Sequence, residues 1–162
     1  EWDDAPLENK IEVSATHTDQ AAIMFPLSPD KEVPLITMGS ENEIVNIWQW
    51  RAIWEKSLNT KSRSSDRNLK MSAFGNDRRS SVEDLTAAGY STLTTQEEQD
   101  VLGRGTWRDK TWRVVFKRSL VNSDNADIQF KYPIAMAIAV WNGGNGERNG
   151  QKGISNWILL RL

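Results

Sequence analysis

Apolar residues along most of the chain occur in short stretches that alternate with polar residues, and clusters of Gly, Pro, Asn, Asp and Ser separate the stretches. Alternation with a period of two is typical of strands that bury one face, and such clusters are typical of turns. In residues 111–120, for example, Trp112, Val114 and Phe116 share one face of the predicted strand. The pattern predicts an all-β protein built as an antiparallel β-sandwich.

The stretch that ends at Trp141 is unusual because it is apolar on both faces. From Ile134 onwards, larger side chains alternate with Ala135, Ala137 and Ala139. A strand of this kind is normally covered on both sides. The three alanines leave room on one face either for something broad and flat or for a close-packed neighbouring sheet, and the pattern favours neither alternative.

Four further segments have the composition of strands, although one of them is ambiguous. Short apolar runs predict strands at Ala21–Leu27, Val33–Met38 and Ile154–Leu162. The tryptophans of Val45–Trp54 share one strand face, yet the apolar residues of this segment also obey helical spacing. We interpret Val45–Trp54 as a strand.

Three more polar segments connect these elements. Lys56–Ser81 offers little to bury, which predicts a long surface loop. Gln96–Leu102 has the features of a short helix, with Thr94 or Thr95 as its cap. The glycine-rich stretch Trp141–Gly150 lacks the strand-loop-helix setting of a phosphate-binding loop, and it predicts a long hairpin.

The length and composition indicate one globular domain. The chain has 162 residues, of which 38% are hydrophobic and 26% are charged, and this is the ordinary range for a single core. We therefore expect one domain over residues 1–162. The opening residues Glu1–Asp4 have the pattern of a strand that ends in a turn, so we expect a further segment upstream.

The charge balance and the absence of cysteine exclude several classes of function. Twenty basic and 22 acidic residues leave a formal charge of -2, which predicts no nucleic-acid partner. No stretch approaches the roughly eighteen apolar residues of a membrane helix, so we expect no membrane span. Without cysteine the chain has no disulfide, iron-sulfur cluster or thioether-linked haem. Any redox cofactor is therefore expected to be held non-covalently.

Catalytic and hard-metal sites are not indicated by the sequence. The single histidine, His17, stands in a polar turn, and no serine has the setting of an activated nucleophile. The acidic pairs and triplets Asp3–Asp4, Glu97–Glu98 and Asp124–Asp127 are more simply explained by turns and exposed ends than by a metal site. We therefore predict no catalytic residues.

Four groups of segments in a fixed order carry a specific resemblance, and together they span nearly the whole chain. They are Glu1–Asp4 with Asp19–Leu27; Met38–Gly39 with Val45–Trp50; Gly89–Leu93 with Gly103–Trp107 and Trp112–Leu120; and Ala139–Gly143 with Glu147–Lys152 and Ser155–Trp157. In these segments the chain resembles the haem-binding γ subunits of the ethylbenzene dehydrogenase and dimethylsulfide dehydrogenase group of molybdenum oxidoreductases. Relatives of that group occur with selenate-, chlorate- and nitrite-converting enzymes.

The resemblance implies one non-covalent b-type haem in a β-sandwich with a few short flanking helices. Motif position assigns the axial ligands of the haem iron to the sulfur of Met38 and the amine of Lys152. Two departures limit the comparison: the family's amino-terminal strands are absent, and the segment between Trp54 and Gly89 has no recognisable motif. The residues that line the haem from these parts are therefore not predicted.

The chemistry of this ligand pair suits a redox centre. A thioether favours ferrous over ferric iron, so Met38 would raise the reduction potential. A lysine binds iron only as the neutral amine, which requires burial to lower its pKa from about 10.4. Met24, Met71 and Met136 are rival thioethers, and motif position favours Met38 over them. Residue type alone would make Met38 a core residue and Lys152 a solvated cation, because these are the ordinary roles of methionine and lysine.

Filled axial positions imply transfer of single electrons rather than catalysis. The resemblance thus implies a non-enzymatic subunit that relays electrons between the iron-sulfur β subunit of a molybdenum oxidoreductase, with its catalytic α subunit, and a soluble cytochrome or similar carrier. It also implies a periplasmic location. Surface Trp and Arg residues and the segment Lys56–Ser81 are candidates for docking.

Two functions other than electron transfer through a haem were also considered from the sequence. A carbohydrate-binding β-sandwich module is one, because eight tryptophans are enough to form a sugar platform. The other is an interaction subunit that kept the fold and lost the haem, and the presence of both Met38 and Lys152 argues against it.

Overall fold

The computed structural model describes residues 2–3, 18–29, 32–63, 79–131 and 133–161. Antiparallel strands are the predominant elements in these ranges, which confirms the all-β prediction. The elements are β1 (Trp2–Asp3), β2 (Gln20–Pro26), β3 (Val45–Arg51), α1 (Ala52–Arg63), β4 (Val82–Ala87), β5 (Thr94–Thr95), β6 (Leu102–Arg108), β7 (Thr111–Lys117), β8 (Ile134–Trp141), β9 (Gly153–Ile154) and β10 (Ile158–Leu160). A 3₁₀ helix over Gly143–Asn145 follows β8.

Within the described ranges the strands form two sheets. The smaller sheet has the order β1-β7-β6. The larger sheet has the order β10-β8-β2-β3-β4-β5, and β9 also pairs with β8. All of these pairings are antiparallel. The strand predictions for residues 111–120, for Ala21–Leu27 and for the stretch ending at Trp141 are therefore confirmed.

An aromatic core lies between the two sheets. The rings of Trp50 from the larger sheet and Trp112 from the smaller one lie 4.8 Å apart, centroid to centroid, at 61°. On the same side of the larger sheet the rings of Phe25 and Trp48 lie 4.9 Å apart at 62°. Edge-on pairs of this kind bury large apolar areas with favourable ring geometry. Because the strands alternate, residues next to these aromatics point away from the core.

The strand predicted over Val45–Trp54 ends at Arg51, and α1 begins at the next residue. The buried carboxylate of Glu55 explains the change. It accepts hydrogen bonds from Trp50 Nε1 at 3.2 Å and from the backbone N–H of Gly105 at 2.9 Å. Burial raises the pKa of Glu55, but hydrogen bonds from Ser81, Gly105, Trp50 and Arg104 lower it below the ordinary value overall.

The prediction that Lys56–Ser81 is a surface loop is wrong for its first eight residues, because residues 56–63 belong to helix α1. Residues 64–78 of that segment lie outside the described residues, as do His17 and Met71. Among the described residues, no helix has the length and apolar character needed to cross a membrane.

The helix predicted for Gln96–Leu102 is wrong. Thr94 and Thr95 form β5 at the edge of β4, and the side chain of Gln99 continues the pairing beyond it. The backbone N–H of Asp84 donates to Gln99 Oε1 at 2.9 Å, and Gln99 Nε2 donates to the Asp84 carbonyl at 2.9 Å. The side-chain amide of Gln99 thus bonds the backbone of β4 as a paired strand would, and it holds the residues after β5 against the sheet. Helical backbone would direct these residues away from it.

Two other segments differ from the predicted strands. The strand predicted at Val33–Met38 is wrong: residues 33–35 belong to no strand and residues 36–38 form a turn. Met38 has a φ of 77°, which is incompatible with extended backbone. Ile154–Leu162 splits into β9 and β10. The glycine-rich hairpin after Trp141 is confirmed, because β8 and β9 pair in the antiparallel sense across it.

A buried polar cluster joins β4 to the loop between β7 and β8. The residues Asp84 and Asp127 are 1% and 3% exposed. Arg118 Nη1 lies 3.0 Å from Asp127 Oδ1, and Asn46 Nδ2 donates to Asp84 Oδ1 at 2.6 Å. Burial and the nearby charge of Asp127 raise the pKa of Asp84 to about 8. At neutral pH Asp84 therefore keeps its proton, and one carboxylate balances one guanidinium.

The same cluster revises the sequence interpretation of Asp124–Asp127. The backbone does turn here, since Ala126 N–H donates to Asp124 Oδ1 at 2.8 Å, but Asp127 itself is buried and paired. One carboxylate oxygen each of Asp84, Asp100 and Asp127 lies within 4.8 Å of the other two, and no other group of three potential metal ligands is found in the described part of the chain.

Replacing Asp84 with Asn should flatten the dependence of stability on pH. In the wild type the folded state keeps a proton that the unfolded state releases above pH 4. The free energy of unfolding therefore falls as the pH rises from about 4 to about 8, by up to about 1.4 kcal/mol per pH unit. Urea denaturation of Asp84→Asn at several pH values in this window should show a smaller slope. The control Asp109→Asn, at an exposed turn, should keep the wild-type dependence of unfolding free energy on pH. If Asp84→Asn keeps it as well, the raised pKa of Asp84 is contradicted.

Replacing Gly105 with Ala should destabilise the sandwich. A Cβ at this position would lie 2.2 Å from Cζ2 of the buried Trp50 ring, which is rigid and enclosed. Overpacking of this kind costs about 1–3 kcal/mol, measurable as a lower midpoint of urea denaturation. Gly153→Ala is the matched strand control, because its Cβ would meet Val140 Cγ2 at 3.4 Å; similar losses in both variants would refute the packing explanation.

Candidate functional site

The face of the larger sheet opposite the aromatic core carries a floor of nine side chains from β2, β3 and β8. The antiparallel register arranges them in three rows, with one residue from each strand in every row. The rows are Trp141, Gln20 and Arg51; Ala139, Ala22 and Gln49; and Ala137, Met24 and Ile47. Neighbouring rows lie two residues apart along the strands, so the floor is about 13 Å from its first row to its third.

A cavity of about 620 Å³ lies over this floor. Small side chains make room for it, because Ala22 and Ala139 oppose each other in the middle row. Residues 36–38, 90–93 and 148–154 contribute its walls. Of the two alternatives for the alanine face of β8, the arrangement in the described residues matches room for a ligand rather than a close-packed second sheet.

Met38 reaches the cavity from a tight turn. The turn is held by a hydrogen bond from Gly39 N–H to the Leu35 carbonyl at 2.8 Å and by one from Gly89 N–H to the Met38 carbonyl at 2.9 Å. The half-buried Met38 side chain packs against the apolar cluster that includes Val45 and Ala87. The backbone of Met38 lies near the third-row end of the floor, because its carbonyl bonds to Gly89, two residues after Ala87, and Ala87 pairs with Val45 beyond the third row.

Lys152 reaches the cavity from the hairpin between β8 and β9. Its Nζ lies 5.0 Å from the centroid of the Trp141 ring, in the first row. The Trp141 Nε1 donates to the Asn149 carbonyl at 3.1 Å, which fixes the ring beneath the hairpin. Burial lowers the pKa of Lys152 below its ordinary value. A half-buried amine in this position gives up its proton more readily than a solvated lysine does.

The buried carboxylate of Asp19 positions the hairpin that carries Lys152. Asp19 Oδ1 accepts from the Gly143 N–H at 2.8 Å, and Oδ2 accepts from Trp112 Nε1 at 3.0 Å. One side chain thereby connects the start of the hairpin to the smaller sheet. Both partners are distant in sequence: Trp112 follows Asp19 by 93 residues, and Gly143 follows it by 124.

The two residues predicted as ligands therefore line one cavity and approach it from opposite ends of the floor. Met24 lines the same cavity, so it remains a rival thioether on position alone. Met136 packs against the aromatic core on the other side of the sheet, which removes the strongest rival that the sequence suggested.

The polar side of the cavity was not predicted from the sequence. Arg51 Nη2 donates to Gln49 Oε1 at 3.1 Å, and Gln49 Nε2 donates to Gln20 Oε1 at 2.7 Å. A usable signal exists, because Gln49 and Arg51 alternate with the core residues Trp48 and Trp50 and so belong on the opposite face. Among the described lining residues three are basic, namely Arg51, Arg148 and Lys152, and none is acidic.

The rim of the cavity is apolar and accessible. Tyr90, which is 74% exposed, and Leu93 stand on one wall, and Ile154 stands on another. Leu35, next to the Met38 turn, is also exposed. Contiguous exposed apolar side chains commonly mark surfaces that meet a ligand or a partner.

Comparison with known proteins identifies the family. The family described as ethylbenzene dehydrogenase matches residues 56–153. Three curated relatives extend the similarity over most of the chain. A protein named as a respiratory nitrate reductase heme subunit of Haloferax mediterranei is 30% identical over 96% of this chain and 48% of its own length. Chlorate reductase subunit gamma of Ideonella dechloratans is 28% identical over 99% of this chain and 57% of its own.

The third relative is dimethylsulfide dehydrogenase subunit gamma of Rhodovulum sulfidophilum, which is 30% identical over 89% of this chain and 48% of its own length. The chain thus spans about half the length of the relatives it matches. The family match covers more than half of the chain. It confirms the resemblance that was inferred from the four groups of sequence segments. The chain belongs to the ethylbenzene dehydrogenase family.

Proposed function

We propose that the chain is the electron-transfer subunit of a molybdenum oxidoreductase and that it binds one b-type haem non-covalently between Met38 and Lys152. The observation that carries the proposal is that a thioether and an amine, named from motif position, line one cavity from opposite ends of its floor. No step of catalysis is assigned to the chain, because the haem would exchange single electrons and its two axial positions would be filled.

The residues of the cavity fit this cofactor. Its volume of about 620 Å³ lies within the range of roughly 300–1,000 Å³ common for cofactor and ligand sites. The alanines of the middle row and the apolar residues of the third row suit the ring, and a sulfur and an amine are suitable iron ligands. When bound, the haem supplies a one-electron couple, and the protein sets its potential and orientation.

Each proposed ligand has a defined task. The neutral sulfur of Met38 would favour the ferrous state of a bound haem and so raise its reduction potential. Lys152 must lose its proton before its amine binds a metal ion, and its burial beside Trp141 already lowers its pKa. The ring of Trp141 and the hairpin hold the amine near the cavity, so little chain entropy is lost when it binds.

The names of the relatives support the partners in the proposal. One relative is named as a heme subunit of a nitrate reductase, and two are gamma subunits of a chlorate reductase and a dimethylsulfide dehydrogenase. By analogy, this chain would receive or deliver electrons through the iron-sulfur β subunit beside a catalytic α subunit, and exchange them with a soluble cytochrome-type carrier. The proposal includes a periplasmic location, because export is usual in the family that the sequence resembles.

The alternative of a carbohydrate-binding module has less support. A sugar platform needs exposed aromatic faces. Among the described tryptophan side chains, Trp48, Trp50, Trp112 and Trp141 are buried, and Trp54, Trp107 and Trp157 are partly buried. None of these seven tryptophans is fully exposed, as a sugar platform would require.

Substitution of either ligand should change the haem spectrum. The purified full-length protein should show a Soret band with low-spin α and β bands. Lys152→Ala and Met38→Ala should each lose the low-spin spectrum and weaken haem binding by about tenfold or more, because one coordination bond is lost. Absorbance and electron paramagnetic resonance of the ferric form would measure both effects.

Matched controls separate ligation from general damage. Lys117→Ala, at an exposed position of β7, and Met136→Leu, on the core side of β8, should keep the wild-type spectrum. An unchanged spectrum in Lys152→Ala would remove that lysine from the site. A wild-type protein without a Soret band, from cells that supply haem, would refute the proposed function.

A further inference from the structure

We propose that Arg51 pairs with the propionate carboxylates of the haem and so sets which edge of the ring faces β3. The inference rests on the proposed function and assigns a residue to the site that neither the sequence motifs nor the comparisons name. It depends on three observations: the charge of the cavity lining, the different character of its two sides, and the contacts that hold the Arg51 side chain.

The lining is suited to an anionic ligand. Its described residues include three basic side chains and no acidic one. If Lys152 is neutral when it binds iron, Arg51 and Arg148 are the cationic side chains of the described lining. A b-type haem carries two propionates on one edge, and guanidinium groups pair with carboxylates through two parallel hydrogen bonds.

The two sides of the cavity differ in polarity. Along β8 and β9 themselves, the second and third rows of the floor and the facing wall are apolar, with Ala137, Ala139 and Ile154. The basic residues of that side, Arg148 and Lys152, lie on the hairpin at the first-row end. On the β3 side, the floor changes from Ile47 to Gln49 and Arg51. The apolar edge of a haem gains from contact with the first side, and burying carboxylates there would carry a large desolvation cost. The propionates are therefore expected on the β3 side.

Arg51 is already held in position. Its Nη2 donates to Gln49 Oε1 at 3.1 Å, and its Cζ lies 4.5 Å from the centroid of the Trp54 ring. Gln49 is in turn oriented by the bond from its Nε2 to Gln20 Oε1 at 2.7 Å. A guanidinium fixed by a hydrogen bond and a stacked ring loses less freedom when it binds a carboxylate, and its partial burial reduces screening by solvent.

Arg148 provides the natural comparison. It lines the same cavity from the β8–β9 hairpin, but it is exposed, and its Nη1 donates to the Gly146 carbonyl at 3.3 Å. Its guanidinium would meet the propionates only if the ring were turned with its polar edge towards the hairpin. The two arginines thus distinguish the two orientations.

The test compares haem with haem dimethyl ester, which has the same iron and ring but no carboxylate charge. After extraction of the native haem from the full-length protein, each porphyrin is titrated back and followed at the Soret band. The wild type should prefer haem over the ester by about tenfold or more, as expected for a charge-assisted pair. Arg51→Gln should lose most of this preference, Arg51→Lys should keep part of it, and Arg148→Gln should retain it.

The outcomes separate this inference from the proposed function. If Arg51→Gln and Arg51→Lys both keep the full preference, Arg51 does not hold the propionates, although haem binding stands. If Arg148→Gln loses the preference instead, the ring has the opposite orientation and the inference is overturned. If the wild type binds neither porphyrin, the proposed function fails as well. Circular dichroism of each variant shows whether it is folded, and Arg51→Lys provides the test if Arg51→Gln is not.

Discussion

The register of β2 against β3 and β8 is the constraint on which the candidate site depends. It places Ala22 between Gln49 and Ala139 on the cavity side, and it places the neighbouring residues Ile23 and Trp48 towards the aromatic core. A shift by one residue would exchange the two faces of each strand. Bulky rings would then occupy the cavity, and small or polar side chains would leave holes in the core. The packing that stabilises the sandwich therefore also determines the floor of the site.

Local pattern predicted those elements whose faces are decided by this packing, and it failed where distant contacts decide. The alternation in β7 and the short apolar runs of β2 and β8 are sufficient to place them as strands, because one face of each contacts the core. The end of β3 at Arg51 depends on Glu55, whose carboxylate contacts Gly105 fifty residues later. The extended course after β5 depends on the pairing of Gln99 with Asp84. Neither contact leaves a periodic signal in the sequence.

The candidate site divides in a similar way. Met38 and Lys152 were named from the order of family segments, since nothing in their local sequence distinguishes a ligand from a core methionine or a surface lysine. The polar wall formed by Gln49 and Arg51 was not predicted, because the interpretation of this segment used only the face that carries the tryptophans. Its alternation already contained the information that a second, polar face exists, but only the pairing of three strands indicates that this face borders a cavity.

The backbone at Met38 has a consequence for what the position requires. A φ of 77° belongs to a region that glycine enters freely and that other residues enter at a cost of order 1–3 kcal/mol. A turn selected for stability alone would carry glycine there, as it does at the following residue, Gly39, with the same φ. Methionine at this position therefore destabilises the turn. The proposed function gives a reason for that cost, because the side chain would bring a thioether sulfur to the haem iron.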